Sequence, residues 1–371
     1  MFRIALFISM LINLILLLAP TISVAEPYIA QRLGQKCSVC HTNMTGGGKR
    51  TAAGLAFGIG LTEKPLTTNF STNINDQISL GANFRANYSY TAFSDPETVG
   101  PVQGDELEDA SSFEVANGVM YMEFAVSENL IFYLDQQVAP EGGRTREALM
   151  LYKGLFGNSS YLKAGRFYLP YGLRLEDDFA FIRQSTGFNF DNSDIGVEFG
   201  FEPGPFSFSV ALTNGTQGAG ENNKDKQLAI VGAYVQPNYR IGASVSKNNS
   251  INGLGNTSFN VFSGLNLYGL TFLAEIDFIE QSQGNATTDQ VASFFSVNYL
   301  LQPSLNLKFA YDYFDPNEDV DEDEESRISL VLEKFMNQYF QIRGGLRVYE
   351  GIPQNTFDNR NLLFSELHFY F

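Results

Sequence analysis

The chain has 371 residues, a formal net charge of −17, 34 Gly, 33 Phe, 18 Tyr and only two Cys. That length allows either two ordinary domains or one large all-β barrel, and the acidic balance excludes nucleic acid as a partner, because binding phosphate needs a basic surface. The mean hydropathy is near zero, yet no run of about 18 apolar residues lies beyond the N-terminus, a profile that suits a barrel apolar outside and polar inside.

The first element reads as an export signal. Arg3 supplies a positive start, Ile4 to Leu18 an apolar core, and Ser23-Val24-Ala25 a small-residue cleavage site before Glu26. A single-span anchor is the alternative, but the apolar run is short for a bilayer and no basic stop-transfer flank follows. Beyond this signal peptide (1–25) the chain divides into a short segment (26–64), a polar linker (65–76) and a continuous β zone (77–371).

The short segment carries both cysteines, in Cys37-Ser38-Val39-Cys40-His41. This is the C-x-x-C-H spacing of covalent c-type haem attachment. Tyr28 to Lys36 reads as a short helix, and residues three apart at its end share one face. Two thioethers can then form to one porphyrin, with His41 as its proximal axial ligand. A periplasmic disulfide, a zinc half-site and chance are the alternatives; zinc normally wants four ligands, and the chain offers only one further histidine, His368. Gly46-Gly47-Gly48 reads as a backbone bend packed close to the porphyrin rather than a phosphate loop, since Asn43 and Arg50 stand where Gly and Ser or Thr are needed.

In the β zone apolar residues recur at every second position, as when one strand face meets lipid and the other a wet lumen. Ile78, Leu80, Ala82, Phe84, Ala86, Tyr88 and Tyr90 fall on one side, opposite Ser79, Gly81, Asn83, Arg85, Asn87 and Ser89. About sixteen such segments are expected, starting near residues 77, 112, 129, 144, 159, 193, 205, 226, 238, 256, 268, 289, 304, 325, 338 and 360, an even number as single-chain outer-membrane barrels require. Tight turns such as Glu202-Pro203-Gly204 and Gln302-Pro303-Ser304 follow even-numbered segments, and longer polar loops, including 169–192, follow odd-numbered ones. Short periplasmic turns and long outer loops give a barrel in the cell outer membrane, surrounded by its lipid, with both termini periplasmic. A soluble β-sandwich is the alternative and would have to bury these faces against a second sheet.

The last strand ends Leu367-His368-Phe369-Tyr370-Phe371, similar to the terminal aromatic signature of assembled outer-membrane barrels. His368 lies on its lumen-facing register beside Glu366 and Tyr370. It is therefore a candidate second axial ligand to the haem iron, against the plainer reading of an ordinary lumen residue. Met44 is too close in sequence to reach the other face of the haem. Met120, Met122 and Met336 are further candidates for that position, against the plainer reading of lipid-facing or turn packing. Acidic residues cluster in the expected outer loops, at Asp105, Glu106, Glu108 and Asp109, at Glu176 to Asp178, and from Asp315 to Glu325. They read as solvated loops, with divalent-metal capture at the mouth as the alternative; Val320 and Ser326 exclude an EF-hand.

A signal, one C-x-x-C-H segment (Ala30 to His41) and a roughly sixteen-stranded barrel in one polypeptide resemble the fused outer-membrane monohaem cytochrome-porin family of iron-oxidising bacteria. Gly165 to Gly172 is also similar to general porin sequence. The resemblance implies one haem c anchored by Cys37 and Cys40 and ligated by His41. It further implies electron transfer from extracellular Fe(II) to a periplasmic carrier such as a soluble cytochrome c, with possible Fe(II) oxidase activity. One porphyrin cannot span a bilayer core of about 30 Å, so residues 26–64 are expected to plug the periplasmic half of the lumen. The competing function is a diffusion porin for small solutes or anions, with Arg85, Arg166, Arg343 and Arg347 lining the passage and the haem in a minor or sensory role.

Overall fold

The computed structural model describes residues 26–60, 62, 65–94, 107–140, 142–157, 159–221, 223–249, 254–284 and 286–371. The signal peptide, and Asp105 and Glu106 of the first acidic cluster, lie outside the described residues.

Sixteen antiparallel strands follow one another around a closed ring. They are β1 (Ile78–Phe93), β2 (Ala110–Ala125), β3 (Leu130–Ala139), β4 (Arg144–Lys153), β5 (Ser160–Tyr168), β6 (Ser193–Phe201), β7 (Phe206–Thr213) and β8 (Gln227–Val235), followed by β9 (Tyr239–Asn249), β10 (Leu254–Leu267), β11 (Leu270–Gln283), β12 (Ala286–Gln302), β13 (Leu305–Asp315), β14 (Glu325–Asn337), β15 (Phe340–Glu350) and β16 (Arg360–Tyr370). Every expected start falls within three residues of the observed one. The seam is β1 against β16, in register from Asn83↔Tyr370 to Phe93↔Arg360, so no sheet edge is left with unpaired backbone groups.

The period-two pattern sorts the side chains as expected. Phe84, Phe208, Ile241, Phe278, Leu330 and Leu363 stand exposed on the outer surface, while Ser244, Ser296, Asn298, Asn306 and Asp312 point inward and are buried. Met120, Met122 and Met336 are outward and exposed. An apolar skin of this kind around a closed sheet is a surface built for lipid.

A barrel of sixteen strands is too wide for its own inward side chains to fill, and here chain from two places fills it. The N-terminal segment forms α1 (Pro27–Arg32), α2 (Cys37–Cys40) and α3 (Ala52–Gly60). The single helix expected from Tyr28 to Lys36 is not formed, because Gly34 takes φ +59 and the chain leaves the helix through Gly34 N–H to Gln31 and Gln35 N–H to Ala30 carbonyls, a glycine C-cap. The cysteines instead form their own helical turn, still three apart.

The second filling element corrects the sequence reading more strongly. The loop between β5 and β6 does not stand out in solvent; it folds into the barrel, carrying α4 (Phe181–Gln184). Its Leu173, Leu175, Ala180 and Ile182 pack with Tyr28 and Ile29 of α1 against Phe262, Leu273, Phe294 and Ala310 of the wall, all at most 5% exposed. One side of the lumen is thus an apolar core rather than the polar channel that alternation alone implies.

The linker passes beneath the short-turn rim. Leu66 and the Gln338 amide exchange two 2.8 Å hydrogen bonds, and Phe70 meets the rings of Tyr339 and Phe371 edge-on at 5.7 and 5.0 Å.

If the outer face contacts hydrocarbon, Leu330→Arg at the middle of β14 should cost about 2–4 kcal/mol in reversible urea unfolding from lipid vesicles, whereas Leu330→Phe should be nearly neutral.

Candidate functional site

The Cys37–Cys40 turn is pinned to the short-turn end of the wall. Lys36 Nζ donates to the Glu202 and Phe206 carbonyls at 2.9 and 2.6 Å, and Ser38 Oγ donates to the Glu202 carboxylate at 2.6 Å. Thr51 closes the other side, its hydroxyl donating to Val39 O at 2.7 Å and its N–H to Cys40 O at 3.0 Å. Both cysteines are free thiols.

Residues 42–50 then make a tight excursion held from every direction. Asn43 Nδ2 donates to Glu147 at 2.6 Å, Lys49 Nζ meets Glu123 at 3.2 Å, Lys163 Nζ donates to Thr45 Oγ1 at 3.0 Å, and Arg174 of the inward loop donates to Gly46 O at 2.8 Å. Gly46, Gly47 and Gly48 all have positive φ (94, 79 and 69°), a conformation that L side chains rarely adopt. A Cβ on Gly46 would also sit 3.2 Å from the Cys37 Cβ and 3.3 Å from its Sγ. The expected backbone bend is therefore present and lies against the first thiol.

Cys37, Cys40, His41 and Met44 border a lumen cavity of about 930 Å³. The cavity continues along β1 from Ala82 to Thr91 and along β16 to Arg360. Nine steps of strand correspond to about 30 Å of chain, so the space leads from the cysteines toward the long-loop end.

His41 Nδ1 is buried, and the ring lies against the backbone of Gly47 and Gly48. Burial, reinforced by Arg50, pushes its imidazole down to about 4, which keeps the ring neutral and able to act as a lone-pair donor. His368, 3% exposed, lines the same cavity. Its Nδ1 lies 3.1 Å from Gln341 Oε1 and 3.6 Å from Glu176 Oε1, and its Nε2 is buried with no partner among the described residues. Arg50 bridges the two regions, since it pairs with His41 in an isolated bridge and stacks on Tyr370 at 3.9 Å, whose ring is 4.7 Å from that of His368. Among the described residues no group of three or more His, Cys, Asp or Glu side chains is arranged to hold a metal ion.

Midway along the cavity the inward loop meets a basic wall. Glu176 pairs with Arg85 and, at 3.0 Å, with Arg343; Asp177 pairs with Arg327 at 3.0 Å and Arg347 at 3.1 Å. Glu26 joins them through Arg343 and Lys308, both at 3.3 Å, so the N-terminal segment and the inward loop share one arginine. Burial alone would raise the Glu176 and Asp177 carboxyls, but Arg343 and Arg85 on the one, and Arg327 and Arg347 on the other, outweigh it and hold both below their ordinary range. Three of the four expected passage arginines, Arg85, Arg343 and Arg347, do line the cavity; Arg166 is instead held by the Thr145 and Gly218 carbonyls. The solvated-loop reading of Glu176 to Asp178 is corrected: the first two are clamped inside the barrel, Asp178 is partly buried near Arg183, and the signal in the sequence was the apolar set Leu173, Leu175 and Ile182 within that loop.

This arrangement defines the class: a transmembrane porin-like β-barrel whose lumen holds an N-terminal segment. No family model and no curated protein matches the chain. Among solved structures it is similar to the anion-selective porin of Comamonas acidovorans (TM-score 0.62, 10% identity, covering 79% of this chain and 99% of that one). It is also similar to a loop-deletion form of the outer membrane protein OmpT of Vibrio cholerae (0.59, 13%, 80% and 100%) and to Salmonella typhi OmpF in complex with daunomycin (0.55, 8%, 79% and 97%). At these identities the likeness is one of fold.

Because the folded values of Glu176 and Asp177 are depressed, the clamp's contribution is present above their ordinary values of 4.5 and 3.8 and is lost as pH falls through the folded ones. Hydrogen-exchange protection of residues 173–180 should therefore hold at about pH 5 and above and decay only in stronger acid. The Glu176→Gln, Asp177→Asn double variant should already be loosened at neutral pH.

Proposed function

We propose that this protein resides in the outer membrane, with its short turns and both termini periplasmic, and transfers electrons through one c-type haem covalently held by Cys37 and Cys40 and ligated by His41. Extracellular Fe(II) is the favoured donor at the long-loop mouth, and a periplasmic carrier such as a soluble cytochrome c the favoured acceptor at the short-turn end. This reading makes the chain a relative of the fused monohaem cytochrome-porins.

One observation carries the proposal: the two free thiols and His41 border the cavity that runs toward the long-loop end. The fit is supported by the buried His41 side chain at the cavity wall, by the Gly46 turn, where a side chain would crowd the Cys37 thiol, and by a cavity in the size range of cofactor sites, about 300–1,000 Å³. When bound, a c-type haem supplies reversible one-electron exchange at its iron. The residues supply the rest. Lys36, Ser38 and Thr51 fix the attachment turn, the apolar core of Tyr28 and Ile29 anchors its helix, and Arg343 ties that segment to the inward loop.

A diffusion porin for small solutes or anions is the second reading. The lumen cavity and the porin-like fold favour it, and Arg85, Arg343 and Arg347 would face the solute. Against free passage, these guanidiniums are paired with Glu176, Asp177 and Glu366, and α1 packs into one side of the bore.

Purified from a host that matures c-type cytochromes, the barrel should stain for haem on a denaturing gel, and Cys37→Ser and Cys40→Ser should weaken or abolish the stain. Adding Fe(II) should reduce the haem promptly. A colourless folded barrel with porin-sized conductance in planar bilayers would replace the first reading by the second.

A further inference from the structure

We infer that His368 Nε2 supplies the second axial ligand to the iron of the group held by Cys37, Cys40 and His41, with Gln341 as its positioning residue; the inference rests on the haem reading above. It begins from the wall. β15 and β16 pair with Gln341 directly opposite His368, and both side chains turn into the lumen, 3% exposed each. Their contact, Nδ1 to Oε1 at 3.1 Å, has a directional consequence. An amide oxygen only accepts, so Nδ1 carries the proton and Nε2 is left with its lone pair.

That lone pair has nothing to bind in the protein. Nε2 is buried and unpartnered among the described residues, a state that costs free energy unless a ligand uses it. His368 borders the same cavity as Cys37, Cys40 and His41. An imidazole with Nδ1–H held by a carbonyl-type oxygen and Nε2 free is the arrangement found at metal-ligating histidines, where the outer hydrogen bond fixes tautomer and ring orientation. Glu176, 3.6 Å from Nδ1, shares that Nδ1 side and leaves Nε2 clear. Tyr370, tilted against the ring at 4.7 Å, limits its rotation. The competing description is an ordinary lumen ion pair between a protonated His368 and Glu176, which gives Nε2 no role.

The test is optical and magnetic, and independent of turnover. Haem-loaded full-length wild type should show a six-coordinate low-spin ferric spectrum. His368→Ala should convert it to high spin while keeping the covalent haem stain, and exogenous imidazole should restore low spin. Gln341→Leu should keep the heat-modifiable gel mobility of a folded barrel but raise the midpoint potential, because a ligand that no longer donates from Nδ1 is less basic and stabilises the ferric state less. A wild type that is high spin, or a His368→Ala protein that stays low spin, overturns the inference while leaving the haem reading intact. Should His368→Ala fail to fold, an unchanged potential in Gln341→Leu overturns it instead. A wild type without covalent haem removes the parent reading and the inference together.

Discussion

A closed sheet in lipid satisfies its backbone but creates a bore, and at sixteen strands that bore is wider than inward side chains can occupy. Everything specific about this protein follows from how the space is filled. Tyr28 and Ile29 from the N-terminal segment, and Leu173, Leu175 and Ile182 from the inward loop, form one apolar core with the β10–β13 wall. Neither filler buries its apolar side without the other, so the segment that bears the cysteines is part of the folded barrel. Burial of such side chains is worth about 1.5–3 kcal/mol each, more than a surface contact of a flexible tail supplies.

Charge does the second job. The chain is strongly acidic overall, yet the lumen sets Arg85, Arg327, Arg343, Arg347 and Lys308 against Glu26, Glu176, Asp177, Asp312 and Glu366. Pairing of this kind sets Coulombic attraction against the cost of taking each charge out of water. The net excess of negative charge is left to the rest of the chain, including the loop residues from Asp315 to Glu325. These pairs also give the cavity a fixed electrostatic setting.

Much of this was legible in the sequence, for identifiable reasons. Strand number and register follow from a period of two, which a single inward or outward assignment propagates along each strand, and Pro-Gly and Asn turns mark the short ends. The C-x-x-C-H spacing on which the haem proposal rests was legible because Cys37, Cys40 and His41 are near neighbours in sequence and need no tertiary information. The inward loop was not, because polarity at Glu176 to Asp178 was weighed without the apolar residues on either side. The helix break at Gly34 is a backbone event that composition signals only weakly. Gln341 was missed as the partner of His368; pairing them requires the register of the last hairpin, which the Phe340↔Phe369 alignment supplies.

The central claim is that the Cys37–His41 turn carries one covalent porphyrin inside the barrel. Mass spectrometry of the mature protein from a cytochrome-maturing host, followed by mapping of the peptide that contains residues 37–41, tests it most directly. The account predicts a single porphyrin mass on that peptide, lost in a Cys37→Ser, Cys40→Ser double variant. Unmodified thiols or an internal disulfide in the folded, membrane-inserted protein would contradict it.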